Sequence, residues 1–273
     1  MEAFRSVYAP PTDHPNAGRW QRAIDGALAR GYLVADILSE RIPLRGADIL
    51  DAGAGVGGTS ICLAQRGAKV VALDRDAARC SALRALGLLV VLADASRTPF
   101  RAERFDGIVL QDVLEHCCNP AAVLREAYRL LRPGGAVYIS TPNRYALVNF
   151  LADPHWGLPF IAVLSRPALR TALRLVRPHD AHRRDLARLL GFREFTSLLE
   201  KTGFRWTLRT EIAASALFAR PDAVVWSRLH RLAARLLRFN PFCRMVMGIS
   251  RREYGLAPRV VFPCWYALCT KPS

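Results

Sequence analysis

The sequence predicts an α/β fold built on a parallel sheet covered by helices on both faces. Three observations carry this. Short apolar runs alternate with segments of helical period over short links, the pattern of consecutive strand–helix–strand units. A glycine-rich turn, "ILDAGAGVGG" from Ile49 to Gly58, follows directly on the first apolar run. The chain has 273 residues, 51% of them hydrophobic, so one large domain, or one domain with an appended piece, can bury a sizeable core.

Trp20 to Ile42 reads as a helix, apolar at Ile24, Leu28, Val34, Ile37 and Leu38. "DILDAGAG" is a buried strand plus turn, and "TSICLAQRG" is a helix closed by Gly67. "KVVALD" is a second strand ending at Asp74, "DAARCSALRALG" a helix closed by Gly87, and "LLVVLAD" a third strand ending at Asp94. "FDGIVLQ" is the fourth strand. "NPAAVLREAYRLLRPGG" is a helix with Asn119 as N-cap and Pro120 in its first turn, and "AVYIST" is the fifth strand. After Thr141 the alternation breaks into a stretch rich in Pro, Arg and aromatics. "FREFTSLLEKTGF" then resumes as a helix stopped at Gly203. "FRWTLRTEI" and "RVVFPCWYALCT" read as two final strands, separated by a basic helical insert from about Pro221 to Pro258.

Lys plus Arg is 39 against 23 Asp plus Glu, a net charge of +16, and only Lys69, Lys201 and Lys271 are lysines. Between Arg166 and Arg259 there are 20 Arg or Lys against 7 Asp or Glu, so this stretch carries +13 of the total. Such charge speaks to partners rather than to fold. The seven cysteines include no CxxC pair, which argues against a structural zinc site, and their odd number argues against a disulfide scaffold. The first twenty residues contain no apolar signal core, and no stretch reaches the roughly 18 apolar residues of a membrane span. The expected location is cytoplasmic.

Gly53, Gly55 and Gly58 satisfy GxGxxG, a nucleotide-binding fingerprint, and Asp74 stands where a ribose-binding acid is expected. Asp51 decides between cofactors. A carboxylate at the mouth of the turn repels a pyrophosphate, which disfavours NAD. It suits S-adenosyl-L-methionine, which has an ammonium, a sulfonium and no phosphate. Asp74 would accept from both ribose hydroxyls, and Asp94 would sit near the adenine amine.

Four segments together, "ILDAGAGVGG", "VVALDRD", "LADASRTPF" and "FDGIVLQDVLEH…LREAYRLLRPGGAVYISTPN", resemble the class I S-adenosylmethionine-dependent methyltransferases over about Ile49 to Asn143. The resemblance implies a Rossmann-like, seven-stranded, mostly parallel sheet whose last strand is antiparallel. It implies a cofactor set of Asp51, Gly53, Ala54, Gly55, Gly57, Asp74, Arg75, Asp94, Ala95 and Gln111. The organisation expected is a helical lid at 1–47, a cofactor-binding core at 48–143, and at 144–273 an insert over the acceptor, the last two strands and the basic helix.

The donor methyl is already activated, so the protein mainly aligns the acceptor and excludes water. A hydroxyl acceptor additionally needs a base or a metal. "QDVLEHCCNP" places Asp112, Glu115 and His116 after the fourth strand as the catalytic candidates. One helical turn would bring Asp112 beside Glu115 and His116. The spacing resembles the metal-binding segment of ubiquinone-pathway O-methyltransferases and of small-RNA 2′-O-methyltransferases, with Asp112 where those carry a longer Glu. No metal ligand is assigned, and any further ligand would come from His155, His179 or His182.

The aromatic, apolar stretch around "DPHWGLPF" suggests a small lipophilic or aromatic hydroxyl acceptor, free or lipid-linked. "AVVWSRLHRLAARLLRF" sets Val225, Leu229, Leu232 and Leu236 against Arg228, Arg231, Arg235 and Arg238, a basic amphipathic helix suited to an anionic inner-membrane surface. Nucleic acid is disfavoured because no aromatic-basic platform is present. The rivals to the O-methyltransferase reading are an RNA 2′-O-methyltransferase and a non-catalytic methyltransferase-like binding subunit.

Overall fold

The computed structural model describes Gln21, residues 24–182, residues 186–221, Val224, Leu232, Arg235 and residues 241–273. Five strands, with helices between all but the third and fourth, follow as the sequence predicts: β1 (Asp48–Ala52), β2 (Lys69–Asp74), β3 (Leu89–Leu92), β4 (Phe105–Gln111) and β5 (Leu131–Pro142). They are preceded by α1 (Ala27–Leu38) and linked by α2 (Gly58–Gln65), α3 (Ala77–Ala85) and α4 (Pro120–Leu130). The local signals act as expected. Asn119 caps α4 through a side chain that accepts from Ala122 N at 3.1 Å, and Pro120 opens the helix. Gly67 and Gly87 lie in the left-handed region after α2 and α3.

Later described helices are α5 (Leu147–Leu151), α6 (Arg166–Val176), α7 (Phe192–Thr202), α8 (Thr210–Ala219) and α9 (Pro241–Ser250). The last strands are β6 (Arg205–Leu208) and β7 (Cys264–Thr270). The seven strands run in the order β3-β2-β1-β4-β5-β7-β6. All pairs are parallel except those of β7, which runs antiparallel to both β5 and β6. β1 opposes β4 with Asp51 beside Val109, and the strand order reverses between them. That reversal opens a crevice at the carboxyl ends of the strands, where α/β sheets bind ligands.

Two late expectations are corrected. "RTEI" is not a strand continuation: from Thr210 the chain is helical as α8, whose buried Ala213 and Ala216 join the core on one sheet face. "RVVFPCWYALCT" is strand only from Cys264; Ala257–Val261 forms a single wide helical turn. Asn143 holds this turn, its side-chain amide donating to the carbonyls of Pro258, Arg259 and Phe262. The basic helix expected from Ala223 to Phe239 lies outside the described residues, except for Val224, Leu232 and Arg235.

The sheet separates two apolar layers. On one face, Leu33, Val34, Ile37 and Leu38 of α1 pack with Ile49, Val109, Tyr138 and Leu268. On the other, Leu124 and Leu130 of α4 and Phe195 and Leu199 of α7 pack with Leu110, Ile139 and Trp265. Phe195 stacks on Trp265 with ring centroids 5.2 Å apart and planes 7° apart. A third, smaller cluster belongs to the insert: Trp156, Ile161, Leu169, Leu173, Ala181 and Leu186.

Candidate active site

The glycine turn begins where β1 ends. Gly53 has φ +83°, and a Cβ there would meet Val113 Cγ2 at 2.6 Å. Only glycine fits that conformation and that closeness, so the turn lies flat against the segment after β4. Beneath it, Asp51 is buried and accepts from Ser60 Oγ at 2.6 Å. Burial, with nearby Asp74 adding to it, pushes the Asp51 carboxyl up to about 6. Asp51 therefore ties the turn to the first residues of α2 and does not line the groove beside it.

Asp74, at the end of β2, is buried and accepts from Gly55 N at 3.1 Å and from Asp76 N at 3.0 Å. Arg79 approaches it at 3.7 Å. Asp94 accepts from the Ser96 amide at 2.7 Å and hydroxyl at 2.6 Å, and these bonds hold its carboxyl below the usual range. Gln111 accepts from Thr59 Oγ1 at 2.6 Å. A groove of about 240 Å³ runs across these strand ends. Of the expected cofactor set it is lined by Gly53, Gly55, Asp74, Arg75, Asp94, Ala95 and Gln111; Asp51, Ala54 and Gly57 stand outside the lining. Val113 and Arg79 also line it and escaped the sequence reading, and Cys117, expected only to pack, lines it too. The donor set fits S-adenosylmethionine: the lining includes three carboxylates, Asp74, Asp94 and Asp112, beside a turn without cationic side chains.

The catalytic candidates separate. Asp112 has φ +53°, a left-handed conformation that is strained for a residue with a Cβ, costing about 1–2 kcal/mol. Its amide and carboxylate both bond Ser140 of β5, the hydroxyl donating to Oδ1 at 2.8 Å. The expected helical turn from Asp112 to His116 is thus absent. Only Leu114–His116 is helical, and Asp112 lines the groove without joining the group of ligating atoms formed by Glu115 and His116.

Glu115 is fully buried and is not part of the groove lining. Thr141 Oγ1 donates to its Oε2 at 3.0 Å. Its Oε1 accepts no hydrogen bond among the described residues and lies 4.0 Å from His155 Nε2. Burial, reinforced by Asp112, pushes the Glu115 carboxyl well above the usual range. His116 lines the groove and meets the His155 ring edge-on, with centroids 5.0 Å apart. Ligating atoms of Glu115, His116 and His155 lie within 4.8 Å of one another.

His155 thus completes a cluster from some forty residues downstream, one of the three histidines expected as a further ligand. Its loop is set by Asp153, whose carboxylate accepts from the amides of His155 and Trp156 at 2.8 Å each. His182 is not in the cluster, and nothing is described of the His179 side chain. Arg30 of α1 was also missed. Burial lowers its pKa, and the charge of Asp112 opposes that. Its signal in the sequence was a lone arginine among the apolar positions of α1.

A parallel sheet with an antiparallel penultimate strand, a glycine turn at the switch point and acids at successive strand ends define a Rossmann-like, nucleoside-binding α/β protein. Residues 50–139 match the family described as "Methyltransferase domain". Residues 50–139 thus carry a methyltransferase domain, within a fold shared with S-adenosylmethionine-dependent methyltransferases of known structure. It is 38% identical over 125 residues to the ubiquinone biosynthesis O-methyltransferase of Xylella fastidiosa, a match covering 43% of this chain and 50% of that protein. The chain spans about half the length of the curated relatives it matches. Two solved structures share the fold. An S-adenosylmethionine-dependent methyltransferase from Mesorhizobium loti has a TM-score of 0.55 and 16% identity, covering 89% of this chain and 99% of the other. A possible histamine N-methyltransferase from Thermotoga maritima has a TM-score of 0.54 and 14% identity, covering 98% and 99%.

Proposed function

We propose that the protein methylates a hydroxyl oxygen of a small lipophilic or aromatic acceptor, free or lipid-linked. The observation that carries this is His116, which lines the groove and is clustered with Glu115 and His155. S-adenosylmethionine, when bound, supplies an electrophilic methyl carbon and leaves as the neutral thioether. Asp74 and Asp94 would hold its nucleoside, and the glycine turn admits it close to the backbone. His116 takes the hydroxyl proton as the oxygen attacks, so the acceptor carries no lasting charge. The insert shields that step from water. The ubiquinone-pathway name of the relatives supports an oxygen acceptor on a lipophilic aromatic ring.

The cluster favours a metal-assisted variant of the same chemistry. Two imidazoles and a carboxylate oxygen without a hydrogen bond form a plausible donor set for a divalent cation. A cation held by Glu115, His116 and His155 would acidify the acceptor hydroxyl.

Attachment to an anionic membrane surface belongs to this reading too. Among the described residues no helix is long and apolar enough to cross a membrane. Leu147, Val148 and Leu151 of α5 are nevertheless exposed, as is Phe160 beside them. Together with the basic stretch, they support a surface that meets lipid.

The test is formation of a product heavier by one methylene group from catechol-type acceptors and lipid extracts incubated with S-adenosylmethionine. His116→Ala is expected to lower turnover by roughly 10²–10⁴-fold while cofactor affinity stays near wild type. Loss in EDTA with recovery on adding a divalent cation selects the metal variant; indifference to EDTA selects the base. Binding of NAD in place of S-adenosylmethionine would overturn the whole reading.

A further inference from the structure

Three peptide groups surround His116, and each is pinned. The His116 amide donates to Val113 O at 3.0 Å, and the Cys117 amide to Leu114 O at 3.2 Å. The Glu115 carbonyl accepts from Arg188 N at 2.8 Å. The remaining contacts come from one side chain of the insert. Arg166 Nη2 donates to the carbonyls of Glu115 at 3.0 Å and Cys117 at 2.6 Å, while its Nε donates to Leu186 O at 3.0 Å. No carboxylate is among these bonds; the guanidinium is spent on three main-chain oxygens.

Arg166 is the first residue of α6, whose Leu169 and Leu173 belong to the insert's own buried cluster with Trp156 and Leu186. One side chain thus joins three segments: α6, the stretch at Leu186, and the turn that presents His116 and Cys117 to the groove. His155 is seated by the same cluster, since its neighbour Trp156 is buried there. The insert therefore sets both imidazoles of the pair, His155 directly and His116 through the backbone.

We propose that Arg166 is a positioning residue for His116, coupling the folded insert to the turn that carries the proton acceptor. This rests on the reading that His116 faces the reacting hydroxyl. A guanidinium fork reaches three acceptors in one plane, whereas an ammonium offers a single point, so Lys cannot replace it. A displacement of about 1 Å at such a site is enough to cost about 10²-fold in rate.

The experiment compares wild type with Arg166→Ala and Arg166→Lys. Turnover is expected to fall roughly 30–100-fold in Arg166→Ala, with S-adenosylhomocysteine affinity within about twofold of wild type. Arg166→Lys is expected to recover only a minor part of that loss. A second arm needs no acceptor: imidazole resonances of ¹⁵N-histidine-labelled protein, with those of His116 identified by their absence in His116→Gln. They are expected to move in both Arg166 variants. Turnover near wild type in Arg166→Ala overturns the proposal. So do unshifted His116 resonances, or a parallel loss of cofactor affinity and thermal stability. If Arg166→Ala fails to fold, Arg166→Lys carries both arms. If wild type turns over no acceptor, the functional reading fails alone and the resonances still decide the coupling.

Discussion

Between Asp48 and Pro142 the chain is held by strand pairing on a sheet with apolar layers on both faces. Between Leu147 and Leu186 it is held by a handful of buried side chains around Trp156, and hydrogen bonds from Arg166 to the carbonyls of Glu115 and Cys117 tie it to the turn after β4. The first region brings the acids of three strand ends to one edge. The second supplies His155 and Arg166. In the proposed function, cofactor chemistry and acceptor chemistry would thus be carried by parts with different sources of stability, meeting at the turn from Asp112 to Cys117.

If the two parts are separable, emptying the insert's core should silence catalysis and spare cofactor binding. Trp156 is 4% exposed and central to the small cluster. Trp156→Ala removes a large buried side chain, worth about 3–5 kcal/mol in a well-packed core. The expected outcome is turnover lowered by 100-fold or more, with S-adenosylhomocysteine affinity, read by calorimetry, within threefold of wild type. Equal losses in both would show one cooperative unit and remove the contrast.

The converse change sits in the sheet. Asp74→Ala deletes the acceptor of the Gly55 and Asp76 amides and of the expected ribose hydroxyls. Bonds to a charged group are worth about 1.5–3 kcal/mol, so cofactor affinity should fall roughly 10- to 150-fold. Histidine resonances from the insert should stay in place. If they shift as far as in Trp156→Ala, the turn and the insert are not independent.

The same contrast governs what could be read from the sequence. β1, β2 and β4, the helix caps at Asn119 and Gly203, and the glycine turn rest on local chemistry, so they were legible. β7 was read as a strand from its residues, but its antiparallel direction came from family resemblance. What failed depends on distant partners. Asp112 leaves helical geometry because Ser140, on the neighbouring strand, captures both its amide and its carboxylate. Thr210–Ala219 is helical because an apolar surface awaits it under α1. His155 was one candidate ligand among three, and only the folding of the insert around Trp156 selects it. Asp51 was read as ordering the turn and facing the cofactor, yet its carboxylate accepts from Ser60 in the first turn of α2, a bond invisible to a reading based on charge alone.

Asp51 also yields the smallest effect and the finest test of the sheet region. Its carboxyl is raised from 3.8 to about 6 by burial and by Asp74. The folded chain therefore holds this proton more tightly than the unfolded chain does. The contribution is fully present below the unfolded value near pH 4, and it is lost as pH rises through about 6. Above that, the fold carries a buried carboxylate whose cost is on the order of 1–3 kcal/mol. Asn at this position still accepts from Ser60 and cannot ionise. Asp51→Asn is therefore expected to flatten stability between pH 4 and pH 6 and to raise the denaturation midpoint at pH 7. Urea titrations at several pH values measure both. A variant less stable than wild type at pH 7 would mean that the charge itself orders the glycine turn, and the region around β1 would then owe its geometry to electrostatics as well as to strand pairing.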